Sequence, residues 1–148
     1  KAAEDGYCLL LDQFATFELT LERYRTYRDA VEDSGRPFDP MTVGVARGLQ
    51  IVRSADERAE ALERRMRLLE RMNQHATSID GSYVSSMASD PDLLKAAENG
   101  TLIGTPEEIV ERVRQLRNGG VEYILLAGTG NASDVLKTFS EEVMPAFA

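Results

Sequence analysis

The chain has 148 residues, of which 43% are hydrophobic, so it is long enough to bury the core of one compact domain. It carries 17 Lys and Arg residues against 25 Asp and Glu residues, and the formal net charge of −8 disfavours binding to nucleic acids or to anionic membranes. A single cysteine allows no internal disulfide, and the start shows no signal-like pattern, so we predict a cytoplasmic location. The apolar runs are far shorter than the roughly 20 residues of a membrane helix.

A first β-α unit is predicted near the start of the chain. The apolar run 7–11 has no polar alternation, which is typical of a strand covered on both faces in a parallel sheet, although a short buried helix fits it as well. Residues 17–31 place large apolar side chains at helical spacing, and Gly35 ends the helix. Because Tyr24 and Tyr27 lie on the apolar stripe of this helix, both are predicted to be core residues.

The second predicted unit is a strand over 41–52 followed by a charged helix over 55–74. The strand is rich in β-branched residues and is predicted to break near Arg47, where a charged residue followed by a glycine interrupts it. The helix has one apolar stripe, and most of its arginines are predicted to lie outside it: Arg64, Arg65, Arg67 and Arg71. Residues 76–103 are rich in Ser, Asp, Gly and Pro and show only one short helical pattern, around Leu93 to Ala97, so we predict a mobile loop insertion there.

The third unit has the clearest start signal in the chain. Thr105 is a helix N-cap residue, Pro106 suits the first helical position, and Glu108 completes a capping box. A helix is therefore predicted to begin at Thr105 and to end at an Asn-Gly-Gly sequence. A buried strand over 121–127 and a last helix that runs to Pro145 complete the unit.

The order of these elements predicts an α/β fold with a parallel sheet. Three strands do not close a barrel, and right-handed crossovers place the helices on one side of the sheet. The other side then stays bare unless further strands or a second chain cover it. We therefore predict that 1–148 forms a single partial domain.

Three separated stretches and the opening of the chain resemble the bacterial luciferase-like monooxygenase family. The stretches are 104–110 (GTPEEIV), 119–126 and 139–147, and the opening is 2–6. The resemblance implies a (β/α)8 TIM barrel, of which this chain is the C-terminal part with about three β-α units. The insertion 76–103 then falls where the family has a mobile loop that closes over the flavin.

The resemblance also implies the chemistry. Family members use reduced flavin mononucleotide (FMN) as a co-substrate, react it with O2 and oxidise a small organic substrate, so a flavin reductase and a homo-oligomer are expected. One branch of the family uses a deazaflavin and transfers hydride without oxygen. The catalytic residues are expected upstream of this chain, so the isolated chain is predicted to be inactive. The alternative is a non-catalytic half-barrel that acts as a dimerisation or binding module.

The candidate cofactor-binding residues follow from the barrel, because chemistry in such barrels gathers at the C-terminal ends of the strands. Arg47 is a cation within an apolar strand, so it is predicted to bind a flavin phosphate or an acidic substrate; a salt bridge to a carboxylate at the barrel mouth is the alternative. Gly128, Thr129 and Gly130 are predicted to bring backbone donors near a phosphate, with a plain tight turn as the alternative.

Two residues are candidates for the substrate pocket. Asp12 follows the first strand and is predicted to line the pocket, or alternatively to cap the next helix or simply to be exposed. Tyr83 lies in the predicted insertion, where an aromatic side chain on a closing loop would contact flavin or substrate. His75 has no Cys, Asp or Glu at ligand spacing, so it is predicted to be a surface residue and no metal is expected. Cys8 is predicted to be an inert core residue.

Overall fold

The computed structural model describes residues 1–75, 92–128 and 132–148. These residues include two short 3-10 helices: Pro40–Thr42 directly precedes a strand, and Met144–Phe147 follows the last α-helix. In chain order the α-helices and strands are α1 (Ala2–Asp5), β1 (Leu9–Leu11), α2 (Phe17–Asp33), β2 (Val43–Ile51), α3 (Ala55–His75), α4 (Leu93–Gly100), β3 (Leu102–Gly104), α5 (Pro106–Asn118), β4 (Tyr123–Gly128) and α6 (Ala132–Glu142). None of the described helices is both long enough and apolar enough to cross a membrane.

Strand β2 is the centre of a four-stranded parallel sheet. Strand β1 pairs with its first residues, β3 pairs with its last residues, and β4 runs alongside it from Gly44 to Leu49. The parallel sheet was predicted, but β3 was not, since it is only three residues long and falls inside the predicted insertion. Its pairing continues past β2, where the backbone N–H of Val52 donates to the carbonyl oxygen of Gly104 at 2.9 Å.

The predicted break in the second strand is wrong. Arg47 pairs with Leu126 and Gly48 pairs with Ala127, so the ladder between β2 and β4 continues through both residues. The strand needs no break because the side chain of Arg47 points to the same side as Val45 and finds polar partners there.

The predicted insertion contains regular structure from Leu93 onwards, which confirms the short helical pattern around Leu93 to Ala97. Helix α4 begins after Asp92, whose carboxylate accepts from the backbone N–H groups of Leu94 and Lys95. Its residues Ala96 and Ala97 pack against Leu69 of α3. The part of the predicted loop from Leu93 onwards is therefore helix and strand, and 76–91 lies outside the described residues.

Helices cover one face of the sheet. The side chains of Val43, Val45 and Leu49 are buried against residues of α2 and α5, which include Phe17, Leu21, Tyr24, Ile109 and Leu116. Tyr24 and Tyr27 are buried, which confirms their predicted place in the core. Their hydroxyl groups donate to the carbonyl oxygens of Gly120 and Tyr7, so each ring has its polar end satisfied.

The other face of the sheet is uncovered. Leu10 is 62% exposed and Leu125 is 38% exposed, and Gly44 lies between Leu10, Leu125 and Tyr123. The prediction of one bare side is thus confirmed, whereas the prediction that the first and last strands are buried on both faces is wrong for this chain. We call this surface the uncovered face and define it by Leu10, Gly44, Ala46, Tyr123 and Leu125.

Candidate functional site

The loop that follows β1 is closed by the carboxylate of Asp12. Its Oδ1 accepts from the backbone N–H groups of Phe14 and Ala15 at 2.8 and 3.0 Å, and its Oδ2 accepts from Arg23 at 3.1 Å. The N-cap of α2 is Thr16. Asp12 therefore shapes its own loop and caps no helix, and its carboxylate is engaged by these three donors. That Asp12 lines a substrate pocket stays a prediction.

Arg47 is fully buried between β2 and α2. Its Nη1 donates to the carbonyl oxygens of Asp12 and Ala46 at 2.8 Å, and its Nη2 donates to the hydroxyl of Thr20. Its guanidinium carbon lies 5.0 Å from the ring centroid of Phe17. Burial lowers the pKa of Arg47 to about 10, and the nearby carboxylate of Asp12 opposes that shift.

These contacts bear on both interpretations of Arg47. The alternative of a salt bridge does not match the geometry, since the group of Asp12 that accepts from Arg47 is its backbone carbonyl. The binding of a flavin phosphate stays a prediction; the guanidinium lies on the helix-covered face, where its Nη1 and Nη2 already donate to Asp12, Ala46 and Thr20.

A second buried arginine, Arg65 of α3, was missed. It is 8% exposed, its Nη2 donates to the carbonyl oxygen of Gln13, and its Nη1 lies 3.4 Å from Oε1 of the same residue. Its guanidinium carbon lies 4.8 Å from the ring centroid of Phe14. Burial lowers its pKa to about 10, again opposed by Asp12. Its position in the sequence could have predicted its burial, because Arg65 is four residues from both Ala61 and Leu69 and therefore lies on the same, buried face of the helix.

A small cavity lies beside Arg65 at the C-terminal end of β2. Its volume is about 80 Å³, and its lining is mostly apolar: Leu49, Ala61, Leu68 and Ile103 stand beside Gly48, Gln50, Arg64, Arg65 and Thr101. A Cβ atom at Gly48 would lie 2.9 Å from Cγ2 of Thr101 and 3.5 Å from Oε1 of Gln13, so a larger residue would displace this wall. We call this space the Arg65 cavity.

The structure brings only part of the predicted cofactor site into view. Gly128 ends β4 in register with Leu49, so it lies at the C-terminal end of the sheet as predicted. Thr129 and Gly130 lie outside the described residues, and so does Tyr83. The role of all four predicted residues in ligand binding therefore stays a prediction.

The remaining candidates have simple outcomes. Cys8 is exposed, so its predicted place in the core is wrong; β1 begins one residue later, at Leu9. His75 is the last residue of α3, and its side chain lies outside the described part of the chain. Among the residues described, no three His, Cys, Asp or Glu side chains form a group able to hold a metal ion.

Comparison with solved structures finds monooxygenases with a similar fold. Monooxygenase RslO1 from Streptomyces bottropensis is 21% identical, with a TM-score of 0.62 over 99% of this chain and 44% of its own. The EDTA monooxygenase from Chelativorans sp. BNC1 is 15% identical, with a TM-score of 0.58 over 97% of this chain and 42% of its own. A third structure is the oxygenating constituent of 3,6-diketocamphane monooxygenase from Pseudomonas putida, solved in complex with FMN. It is 17% identical, with a TM-score of 0.58 over 97% of this chain and 44% of its own.

The chain spans less than half the length of these three proteins. No curated protein sequence matches it. A family model described as luciferase-like monooxygenase matches residues 1–123, which is most of the chain and includes β1 to β3. The chain therefore belongs to the luciferase-like monooxygenase family.

Proposed function

We propose that this chain is the C-terminal part of a (β/α)8 barrel. The observation that carries the proposal is the uncovered face, where apolar side chains such as Leu10 and Leu125 are exposed on a sheet whose other face is covered by helices. In a barrel of this type the helices form the outer ring and the inner face is packed with side chains from all strands. Coverage of only 42 to 44% of the structural neighbours leaves room for the missing strands.

The proposed activity of the complete protein is oxidation of a small organic substrate by O2 with reduced FMN. Family membership supports this activity, and so does the FMN complex of one structural neighbour. When bound, the reduced flavin would supply the electrons that activate oxygen. A flavin reductase would deliver it, and we propose a homo-oligomer in the cytoplasm.

The described residues fit a flavin only in part. The uncovered face offers small or apolar residues, Gly44, Ala46 and Leu125, on which a planar ring would pack. Gly128 lies at the C-terminal end of the same sheet. Arg47 lies on the opposite face, so we propose that most phosphate contacts and the catalytic residues come from the strands that precede this chain.

A flavin titration tests the proposal. The 148-residue chain and the full natural polypeptide that contains it are titrated with oxidised and reduced FMN by fluorescence or calorimetry. We expect binding and substrate-dependent oxygen consumption for the full polypeptide, and neither for the chain alone. Tight FMN binding by the 148 residues would contradict our placement of the phosphate contacts. A deazaflavin titration in parallel separates the hydride-transferring branch of the family.

The uncovered face also favours a second candidate, a non-catalytic half-barrel that dimerises through it. Leu10 is an exposed apolar side chain in this chain, and a second copy of the chain would cover it as well as further barrel strands would. Sedimentation analysis separates the candidates: a natural product of this size that forms a dimer and binds no flavin supports the module. A substitution Leu10→Lys would then weaken the dimer.

A further inference from the structure

The side chain of Gln13 lies at the C-terminal end of the uncovered face. Because side chains alternate along a strand, Gly48 continues the row of Gly44 and Ala46 on that face of β2. A Cβ atom at Gly48 would lie 3.5 Å from Oε1 of Gln13, so the amide of Gln13 stands directly beside this row. Ligands of barrel enzymes bind at this end of the strands.

The contact with Arg65 determines which way the amide of Gln13 faces. A guanidinium only donates hydrogen bonds, so the amide atom that lies 3.4 Å from its Nη1 is the acceptor, Oε1, and Nε2 points away from Arg65. Nε2 donates to no group within 1–75, 92–128 and 132–148, where the buried side-chain nitrogens without a partner all belong to arginines. Gln13 therefore presents an accessible N–H donor.

The backbone on both sides of this donor is held in place. The carbonyl oxygen of Gln13 accepts from Nη2 of Arg65, and that of Asp12 accepts from Nη1 of Arg47 at 2.8 Å. The carboxylate of Asp12 accepts from the backbone N–H of Phe14 at 2.8 Å. Because these bonds order the loop before any ligand arrives, Gln13 loses little conformational freedom when it binds one.

We propose that the amide of Gln13 donates a hydrogen bond to a carbonyl oxygen of the flavin ring. The inference rests on the proposed function, in which the ring packs on Gly44 and Ala46 of the same face. An amide N–H is a neutral donor, and the carbonyl oxygens at one edge of a flavin ring are acceptors that match it. The Arg65 cavity, which Gly48 also lines, is mostly apolar and takes no part in this contact.

The test compares two variants, Gln13→Glu and Gln13→Met, in the full natural polypeptide. Each is titrated with oxidised FMN and with riboflavin, followed by flavin fluorescence. Glutamate keeps an oxygen for Arg65 but has no N–H donor, whereas methionine has a similar length and neither group. We expect the Kd of both flavins to rise about three- to tenfold in Gln13→Met, and about tenfold or more in Gln13→Glu, where two acceptors would face each other.

The matched control is Gln115→Glu, which adds the same charge at an exposed position of α5. It should leave the Kd of both flavins unchanged. Thermal unfolding without flavin checks the fold: Gln13→Glu should keep or raise the wild-type Tm, because its carboxylate can pair with Arg65. If Gln13→Glu does not fold, the Kd values of Gln13→Met decide the outcome.

Two results would overturn the contact. One is a wild-type Kd for both flavins in Gln13→Met. The other is a loss of FMN binding without a loss of riboflavin binding, because riboflavin has the ring but lacks the phosphate. If the wild type binds neither flavin, the proposed function is refuted and this inference with it. If the wild type and Gln13→Met bind both flavins equally well, only this inference is refuted.

Discussion

The two faces of the parallel sheet differ in how completely this chain covers them. On one face Val43, Val45 and Leu49 are buried under α2 and α5, and even the charged Arg47 finds polar partners there. On the other face Leu10 and Leu125 remain exposed. The first face is therefore complete within 148 residues, while the second depends on whatever packs against it. Substitutions on the two faces should consequently respond differently to the rest of the polypeptide.

The largest effect is expected for truncation of a leucine on the covered face. Leu49 is 1% exposed, and Leu49→Ala should lower the free energy of unfolding of this chain by about 4 kcal/mol, since it removes buried methyl groups and leaves a cavity. Urea denaturation measures the difference. Leu10→Ala, on the uncovered face, should change it by less than about 0.5 kcal/mol in the 148-residue chain.

The same pair of variants, repeated in the full natural polypeptide, sharpens the comparison. If further strands close a barrel over the uncovered face, Leu10→Ala becomes a core truncation and should cost about 2 kcal/mol or more. An unchanged small cost in the full polypeptide would contradict the barrel and favour an exposed or dimeric face.

The second prediction concerns the charged residue on the covered face. Arg47→Ala should cost about 3 kcal/mol, because it removes the donors of the Asp12 carbonyl and the Thr20 hydroxyl and leaves a cavity. Thr20→Val, which removes one acceptor and keeps the other bonds of Arg47, should cost about 1 kcal/mol. Thermal unfolding of both variants checks the order. If Arg47→Ala leaves the free energy of unfolding unchanged, the hydrogen bonds of Arg47 only offset the cost of burying its charge.

Arg47 also shows what the sequence could not reveal. A cation inside an apolar run predicts either a ligand or an interruption, because the pattern alone does not contain the helix that faces it. Thr20 and Phe17 lie about one helical turn apart on α2, far from Arg47 in sequence, and only the packed fold brings them to the guanidinium. The same holds for β3, whose strand character comes from its pairing with Leu49 and Gln50.

Local signals, in contrast, predicted α2 and α5 well. The spacing of Tyr24, Tyr27 and Val31 located the buried face of α2, because a helix with one apolar stripe has few ways to pack. Arg65 was within reach of the same argument, since it continues the stripe of Ala61 and Leu69. It was missed because arginine was assumed to face solvent, although its partner Gln13 comes from a distant loop.

The third prediction uses the capping box of α5. The Oγ1 of Thr105 accepts from the backbone N–H of Glu108 at 3.4 Å, and the backbone N–H of Thr105 donates to Oε2 of Glu108 at 2.8 Å. Thr105→Ala should cost about 1 kcal/mol of stability, as measured by urea denaturation. Thr105→Ser retains the hydroxyl and serves as the control, and an equal loss in that variant would point to the methyl group instead.

The pH dependence of the same box follows from the sign of the pKa shift. The backbone hydrogen bond from Thr105 lowers the pKa of Glu108 below its ordinary value. The stabilisation by its carboxylate is therefore fully present above the ordinary glutamate pKa and is lost as the pH falls through the lowered, folded-state pKa. The stability difference between the wild type and Glu108→Gln should shrink on acidification, and a difference that does not change with pH would argue against a charged partner.

The smallest effect is expected on the exposed side of α3. Arg67 forms an ion pair with Glu63 at 2.8 Å in which both side chains are about 60% exposed, so Arg67→Gln should cost about 0.3 kcal/mol, and less at high salt. Arg65, two residues earlier, is the opposite case, since its guanidinium is buried against Gln13 and the Phe14 ring. Urea denaturation of Arg67→Gln and Arg65→Gln at low and high salt measures the contrast. Equal losses of unfolding free energy in the two variants, both reduced at high salt, would mean that Arg65 acts as a surface charge. A larger loss in Arg65→Gln that does not depend on salt would show that Arg65 holds the loop after β1 against α3.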